Sequence, residues 1–318
     1  MPTQSNSTKQ HYIGSSGVLN LIRDRSKNLK TPKNLKLALV VEGGGFKGIY
    51  TGAMLAELEA SGISPSIFDF IVGSSAGSFN AAYYIAGQAQ KGVCVYADHL
   101  HQNKFLNYMG WLQGRPIMNL DVLFSITSNA VPLNWRRVVN ARKLYVVATE
   151  PHSSRPHLLG PATTQSELLE HVRLSAHVPY ISGKLPRRAE GPLFDGSFLA
   201  PLPIEQAADL GATHVLALST RQLNSWRSCL KSTEKIALKA VGRRYPNFEK
   251  AINDHVALNP YRVQRHLKAM TGSSSSMSLC VVDSPSTPKV RRTENRTTVL
   301  RQALEAGRES MRLILDAR

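Results

Sequence analysis

Cysteine is scarce. The 318 residues hold three, Cys94, Cys229 and Cys280, odd in number and widely spaced, which argues against a disulfide framework and against a zinc site. No stretch of about 18 apolar residues occurs, so no segment reads as a bilayer-spanning helix. The N-terminal "MPTQSNSTKQHYIGSSG" has no apolar run after a basic start and does not read as a secretory signal. These absences predict a cytoplasmic setting, with at most peripheral contact with a membrane. Aromatic residues make up 7% of the chain and are sparse in its basic segments. The interleaved stacking pattern of a single-strand binder is therefore missing, and no nucleic-acid partner is expected. There is no internal repeat.

Acidic residues are also few, 22 against 39 Lys and Arg, for a formal charge of +17. The excess is concentrated: residues 1–36 carry seven basic and one acidic residue, and residues 221–268 carry eleven basic and three acidic. Such segments attract anionic surfaces through a field that salt screens; the bland reading is a solvated, solubilising face. With 42% hydrophobic residues the chain can bury one large core. The expected organisation is a flexible basic arm over 1–34, a catalytic domain over 35–220, and a basic helical region over 221–318 with a late strand and a closing helix packed on that domain.

"KLALVVEG" is a continuous apolar run bounded by glycine, the signature of a strand buried on both faces. A helix follows in "GIYTGAMLAELEASG", then a second buried strand in "IFDFIVG" and a small-residue helix in "AGSFNAAYYIAGQ". Strand, glycine turn and helix, given twice, predict an α/β fold with a parallel-type sheet and helices on both faces. "KLYVVATE", "THVLALS" and "LCVVDS" read as further strands; "TTQSELLEHVRLSAHV", "PIEQAADLG" and "TTVLRQALEAGRESMRLIL" read as helices. "FLNYMGWLQGRPIMNLDVLF", rich in Leu, Met and aromatics, reads either as a cap over an apolar site or as core filler.

"FIVGSSAGSFNAAYY" holds three serines where a strand turns into a helix. A nucleophile on so tight a turn needs very small residues two before and two after it, the G-x-S-x-G pattern. Ser75 has Gly73 and Gly77 in those places, whereas Ser74 has Val72 and Ala76, and Ser78 has Ala76 and Asn80. Only Ser75 meets the steric demand, and it lies near the positive end of a helix dipole. The plain alternative is a Gly-Ser helix cap.

"VVEGGGFKG" ends the first strand and so emerges on the same sheet edge as Ser75. Gly43, Gly45 and Gly48 spell G-x-G-x-x-G, the dinucleotide-binding fingerprint. That reading also needs an acidic residue ending the second strand, and Asp69 lies near its start. The P-loop pattern fails because Gly48 is followed by Ile49 and Tyr50. Three consecutive glycines can instead turn their N–H groups toward one point, as an oxyanion hole does. Lys47 reads as a solvated lysine.

A serine hydroxyl needs a neighbour to accept its proton. His171, His177, His214, His255 and His266 all sit in helix-like or strand-like surroundings, and none stands out. Among carboxylates, Asp195 in "PLFDGSF" follows an apolar pair and precedes Gly196, while Asp98, Asp121, Asp209 and Asp254 read as surface charges. Locally, Asp195 is either a base at a dry site or a simple turn residue.

"GGGFKG", "GSSAG" and "DGS", in this order and after matching strands, resemble the patatin-like phospholipases over roughly residues 36–220. "LSAHVPY" is similar to that family's Ser-Ala-x-x-Pro segment. The resemblance implies a three-layer α/β fold and hydrolysis of fatty acyl esters of phospholipids or related lipids, with no cofactor or metal. It implies Ser75 as nucleophile, Asp195 as its base, Gly43, Gly44 and Gly45 as oxyanion donors, and Gly48, Gly73, Gly77 and Gly196 as motif glycines. Ser197 departs from the family's usual Gly or Ala after Asp-Gly. Two alternatives remain: a Ser-Asp-His esterase completed by His255 or His266, although only one strand is expected ahead of the nucleophile's, and a dinucleotide-binding regulatory protein.

Overall fold

The computed structural model describes residues 12–100, 105–184, 188–222, 225, 232–271 and 277–316. The chain enters the fold earlier than its composition suggests. Residues 12–26, expected within the arm, form strand β1 (Tyr12–Gly14) and helix α1 (Ser16–Ser26). The Ser15 side chain caps α1 by accepting from Gly17 N–H, and Val18, Leu19, Leu21 and Ile22 make a buried stripe. A one-sided stripe of four is enough to dock a short helix, even among polar neighbours. The rest of the expected arm up to residue 11 lies outside the described residues.

From there β2 (Leu37–Val41) runs through the first glycine turn into α2 (Gly48–Ala60), and β3 (Phe70–Ser74) through the second into α3 (Ala76–Ile85). Helices α4 (Ala89–Cys94), α5 (Leu120–Ser128) and α6 (Trp135–Ala141) precede β4 (Leu144–Glu150) and β5 (Arg155–Leu159). Next come α7 (Gln165–Ser175), β6 (Phe194–Asp195), α8 (Ile204–Asp209) and β7 (His214–Leu218). Helices α9 (Ser232–Gly242) and α10 (Pro246–Thr271), strand β8 (Ser278–Val282) and helix α11 (Thr297–Asp316) follow.

The eight strands among the described residues lie in the order β1-β8-β7-β2-β3-β4-β5, with β6 paired to β4. The five from β8 to β4 are parallel, while β1, β5 and β6 add antiparallel pairs at the margins. One strand more than expected therefore precedes β3, but β1 sits at the far edge. All five residues of β2 are buried, because both faces are covered. Leu37, Leu39 and Val41 face a core shared with α1, α2, α3 and α11; Ala38 and Val40 face Ile204 and Ala207 of α8. This is the three-layer arrangement.

Residue 220 is not a boundary within the sheet, because β8 pairs with β7 and α11 lies on α2. That packing is close: a Cβ on Gly307 would come within 2.9 Å of Ala53 Cβ. Helices α9 and α10 and their connection bury Leu238, Val241, Tyr245 and Phe248 against Phe194 and Leu199, on either side of Asp195 in the chain. Strand order switches at β2, with β3 and β4 added on one side and β7 and β8 on the other, so the crevice beyond the carboxyl ends of these parallel strands is where an open α/β sheet accepts ligands.

Candidate active site

At the end of β3, Ser75 is held at φ 51°, ψ −126°, a strained conformation that turns the strand into α3. The neighbouring glycines explain the pattern. A Cβ on Gly73 would lie 2.6 Å from Ser78 Cα, and one on Gly77 would collide with the Val41 carbonyl. Gly73 thus lets the helix start against its own strand, and Gly77 lets it start against β2. The Ser75 N–H donates to Ser175 Oγ at 2.7 Å, and Ser175 Oγ donates to Val147 O at 2.5 Å. This ties the turn to β4.

Asp195 reaches the same point from β6, 120 residues later. Ser75 Oγ donates to its Oδ2 at 2.8 Å, and Ser197 N–H donates to Oδ1 at 2.7 Å. Its backbone is pinned on both sides: Asp195 N–H donates to His177 O at 2.7 Å, and Thr149 Oγ1 donates to Asp195 O at 3.0 Å. Gly196 must be glycine here, since a Cβ would overlap the Val147 carbonyl. Burial pushes the Asp195 carboxyl above its ordinary range; the hydrogen bonds from Ser75 and Ser197 and the charge of Arg292 pull the other way.

The first glycine turn faces these two side chains. Gly44 has φ 149° and Gly45 φ 60°, the latter in the left-handed region that glycine enters without strain. Both line the cavity that holds Ser75 and Asp195. Gly43 departs from expectation: its N–H donates to Pro201 O at 3.2 Å, and it is not among the lining residues. Its role is close packing, for a Cβ there would sit 2.7 Å from Ser75 Cβ. Gly48 is likewise a packing glycine, beneath the Tyr96 hydroxyl and Ala76.

The cavity measures about 230 Å³, and Phe46, Phe79, Leu100, Phe105 and Leu123 contribute its apolar wall. Phe105, Met118, Leu120 and Leu123 all come from the Leu-rich and aromatic segment after α4, so that segment covers the apolar site as a cap. A sequence model of the patatin-like phospholipase family matches residues 39–208, just over half the chain. The chain belongs to the patatin-like phospholipase family. Lipid acyl hydrolysis is the activity that membership implies.

This patatin-like chain is 28% identical over 192 residues to the uncharacterized protein YjjU of Escherichia coli (strain K12), covering 58% of the chain and 52% of that protein. It thus spans about half the length of that curated relative. Among solved structures it is similar to VipD from Legionella pneumophila, with a TM-score of 0.45 at 15% identity, covering 91% of this chain and 68% of VipD.

The remaining candidates of the patatin-like chain lie apart from the cavity or serve as supports. Asp69 accepts from Arg25 and from Leu37 N–H at 2.7 Å each, at the opposite end of β2 from the glycine turn. No acidic residue is thereby supplied for a dinucleotide ribose. A Cβ added at Gly43, Gly45 or Gly48 would meet the chain's own atoms. The direct contact between Ser75 and Asp195 occupies the place where a triad's imidazole would intervene. His177 contributes its carbonyl, while burial, with Arg173 adding to it, pushes its imidazole down to about 4. His171 lies 3.8 Å from Glu167 and His214 bonds to Thr213. His255 is buried in α10, and the His266 side chain and Cys229 lie outside the described residues.

Sequence reasoning missed Glu42. It is fully buried at the end of β2 and accepts from Ser219 Oγ at 2.6 Å, Thr220 N–H at 2.6 Å and Arg221 Nε at 2.7 Å. Thr220 Oγ1 in turn donates to Gly43 O at 3.1 Å, so the foot of the glycine turn is fastened to the end of β7. The available signal was a lone carboxylate ending an otherwise apolar strand. Ser175 was also passed over; it lay within a segment noted only for its resemblance.

Proposed function

We propose that this chain hydrolyses fatty acyl esters of phospholipids or related lipids through a Ser-Asp dyad and an acyl-enzyme. The observation that carries this reading is the 2.8 Å hydrogen bond from Ser75 Oγ to Asp195 Oδ2 beside an apolar cavity. As Ser75 attacks the ester carbonyl, Asp195 takes its proton and passes it to the leaving alcohol. The tetrahedral oxyanion lies against the Gly44 and Gly45 amides and that of Ala76, the residue after the nucleophile. The Asp195 carboxylate then activates a water that releases the fatty acid. The acyl chain occupies the apolar cavity.

Access to lipid would come through peripheral contact with an anionic membrane surface. Lys235, Lys239, Arg243, Arg244 and Lys250 are exposed on α9, α10 and their connection. Beside the cavity, the excursion closed by the Leu106–Met118 bridge presents Tyr108 and Met109, 57% and 71% exposed. No helix among the described residues is long and apolar enough to cross a membrane. Binding to anionic vesicles is therefore expected to fall as salt rises.

The test is fatty acid release from mixed phospholipid vesicles by the parent, Ser75→Ala and Asp195→Asn. Release by the parent alone, with both variants folded, supports the dyad. Full activity in Asp195→Asn would sink it.

A further inference from the structure

Ser197 carries a hydroxyl at a position where the family usually has Gly or Ala. It belongs to the short turn Gly196–Phe198 that follows β6, its N–H holds Asp195 Oδ1 at 2.7 Å, and it lines the cavity with Ser75 and Asp195. Among the described residues, two buried side-chain oxygens have no hydrogen-bond partner, the hydroxyls of Ser74 and Ser197. Ser74 is not part of the cavity wall, whereas Ser197 is. Ser197 Oγ also lies beside the nucleophile: a Cβ built on Gly43 would be 2.7 Å from both Ser197 Oγ and Ser75 Cβ. An unpaired buried hydroxyl is destabilising, so one held at the reacting centre points to a partner that arrives with the reaction.

The acyl-enzyme supplies that partner. Before acylation, Asp195 Oδ2 accepts from Ser75 Oγ and Oδ1 from Ser197 N–H. Once Ser75 Oγ is esterified it has no hydrogen, and Oδ2 loses its donor. A water approaching the acyl carbon can give one hydrogen to Oδ2. For its other hydrogen, the wall contributed by Phe46, Phe79 and Leu123 offers no acceptor, whereas Ser197 Oγ does. The Ser197 side chain pulls the Asp195 carboxyl down, although it makes no hydrogen bond of regular geometry there. Its hydrogen is therefore turned toward the carboxylate, and its lone pairs are open to a donor. A water held by both hydrogens keeps its own lone pairs for attack.

We propose that Ser197 is a positioning residue for deacylation, its hydroxyl oxygen accepting the second hydrogen of the water that Asp195 activates. This rests on the acyl hydrolase reading of the site. In this step the water oxygen bonds to the acyl carbon, the bond from that carbon to Ser75 Oγ breaks, and the proton taken by Asp195 returns to Ser75 Oγ, releasing the fatty acid. Methanol can attack the same acyl-enzyme, but it has one hydroxyl hydrogen, for Asp195, and none for Ser197. The Ser197 side chain therefore favours hydrolysis over methanolysis.

The test uses 4-nitrophenyl octanoate with the full chain, Ser197→Ala and Ser197→Gly. Both replacements are smaller than serine and keep the N–H that holds Asp195 Oδ1, so the turn is expected to fold in each, as circular dichroism and thermal melts check. Nitrophenolate release is followed by stopped flow and the octanoyl adduct on Ser75 by intact mass, and octanoic acid and methyl octanoate are measured in a fixed mixture of methanol and water. In both variants acylation should stay within about 2-fold of the parent while deacylation by water slows about 10-fold, the size of one hydrogen bond, and the adduct accumulates. The ratio of methyl octanoate to octanoic acid should rise about 10-fold, a readout that does not depend on which step limits turnover. Equal slowing of acylation and deacylation would make Ser197 an oxyanion donor or a packing residue and overturns the proposal. An unchanged product ratio overturns it too, even though the acyl-enzyme forms. Absence of any adduct or octanoate release from the parent and both variants overturns the acyl-enzyme reading, and this proposal with it.

Discussion

Replacing Glu42 by glutamine changes one atom type in a fully buried group. The carboxylate accepts three hydrogen bonds, at 2.6 Å from Ser219 Oγ, 2.6 Å from Thr220 N–H and 2.7 Å from Arg221 Nε. An amide of the same shape offers one oxygen and one NH2. Whichever way it is turned, an N–H of Thr220 or Arg221 faces another donor. Breaking a buried ion pair costs roughly 3–5 kcal/mol. The Arg221 side chain is 17% exposed and recovers part of this by hydration, which leaves a loss of about 2–4 kcal/mol. At about 2–4 °C per kcal/mol for a large domain, Tm should fall by about 4–16 °C. Urea unfolding followed by tryptophan fluorescence measures the loss, and a cycle with Arg221→Gln isolates the pair. Because Glu42 holds the foot of the glycine turn, kcat should fall with KM little changed. A loss below about 1 kcal/mol, or unaltered kcat in a folded Glu42→Gln, would refute the reasoning.

Asp195 and His177 set two opposite pH dependences. Burial raises the Asp195 carboxyl, so its contribution to stability is fully present below the ordinary carboxylate range and is lost as pH rises through the raised value. Asp195→Asn should therefore be more stable than the parent at neutral pH and converge with it in acid, while parent kcat/KM climbs with pH through the raised value; a less stable variant at neutral pH would contradict this. His177 is pushed from 6.5 down to about 4, so its contribution is lost as pH falls through that window, by about 3 kcal/mol at most. Thermal melts of His177→Asn should show a shallower acid decline than the parent. For Gly77→Ala, the added methyl meets the Val41 carbonyl; a destabilisation of roughly 1–3 kcal/mol and an activity loss of about 100-fold from displacing Ser75 are expected. Near-parent activity would show that the turn tolerates a side chain there.

The two glycine turns were legible because their cause is local. Steric demand at a strand-to-helix turn acts within five residues, so Gly73 and Gly77 mark Ser75 before any tertiary contact is known. The buried strands were legible for a similar reason, as uninterrupted apolar runs. Edge strand β5 was not, since three of its five residues are exposed and its order comes from pairing with β4. Helix α1 was legible only in part, since its apolar "GVLNLI" reads as one helical turn or an anchor and its polar flanks give no sign that the helix extends over Ser16–Ser26. Glu42 could not be interpreted alone, because its partners lie 177–179 residues away. The expected three-amide arch failed at Gly43 through the carbonyl of Pro201, another remote group. Sequence shows which residues are sterically fit for a task; which N–H remains available depends on the neighbours the fold brings.

The three residues Ser175 to His177 at the end of α7 work as a jig. Ser175 holds the Ser75 amide and His177 holds the Asp195 amide, so both members of the proposed dyad are referenced to one short piece of chain. Ala176 of the same piece also lines the cavity, so one side of the wall is set together with the spacing of the proposed dyad. Another part of the wall comes from the cap segment, through Phe105, Met118, Leu120 and Leu123, and substitutions there can change the cavity's shape while the Ser75–Asp195 spacing stays as it is.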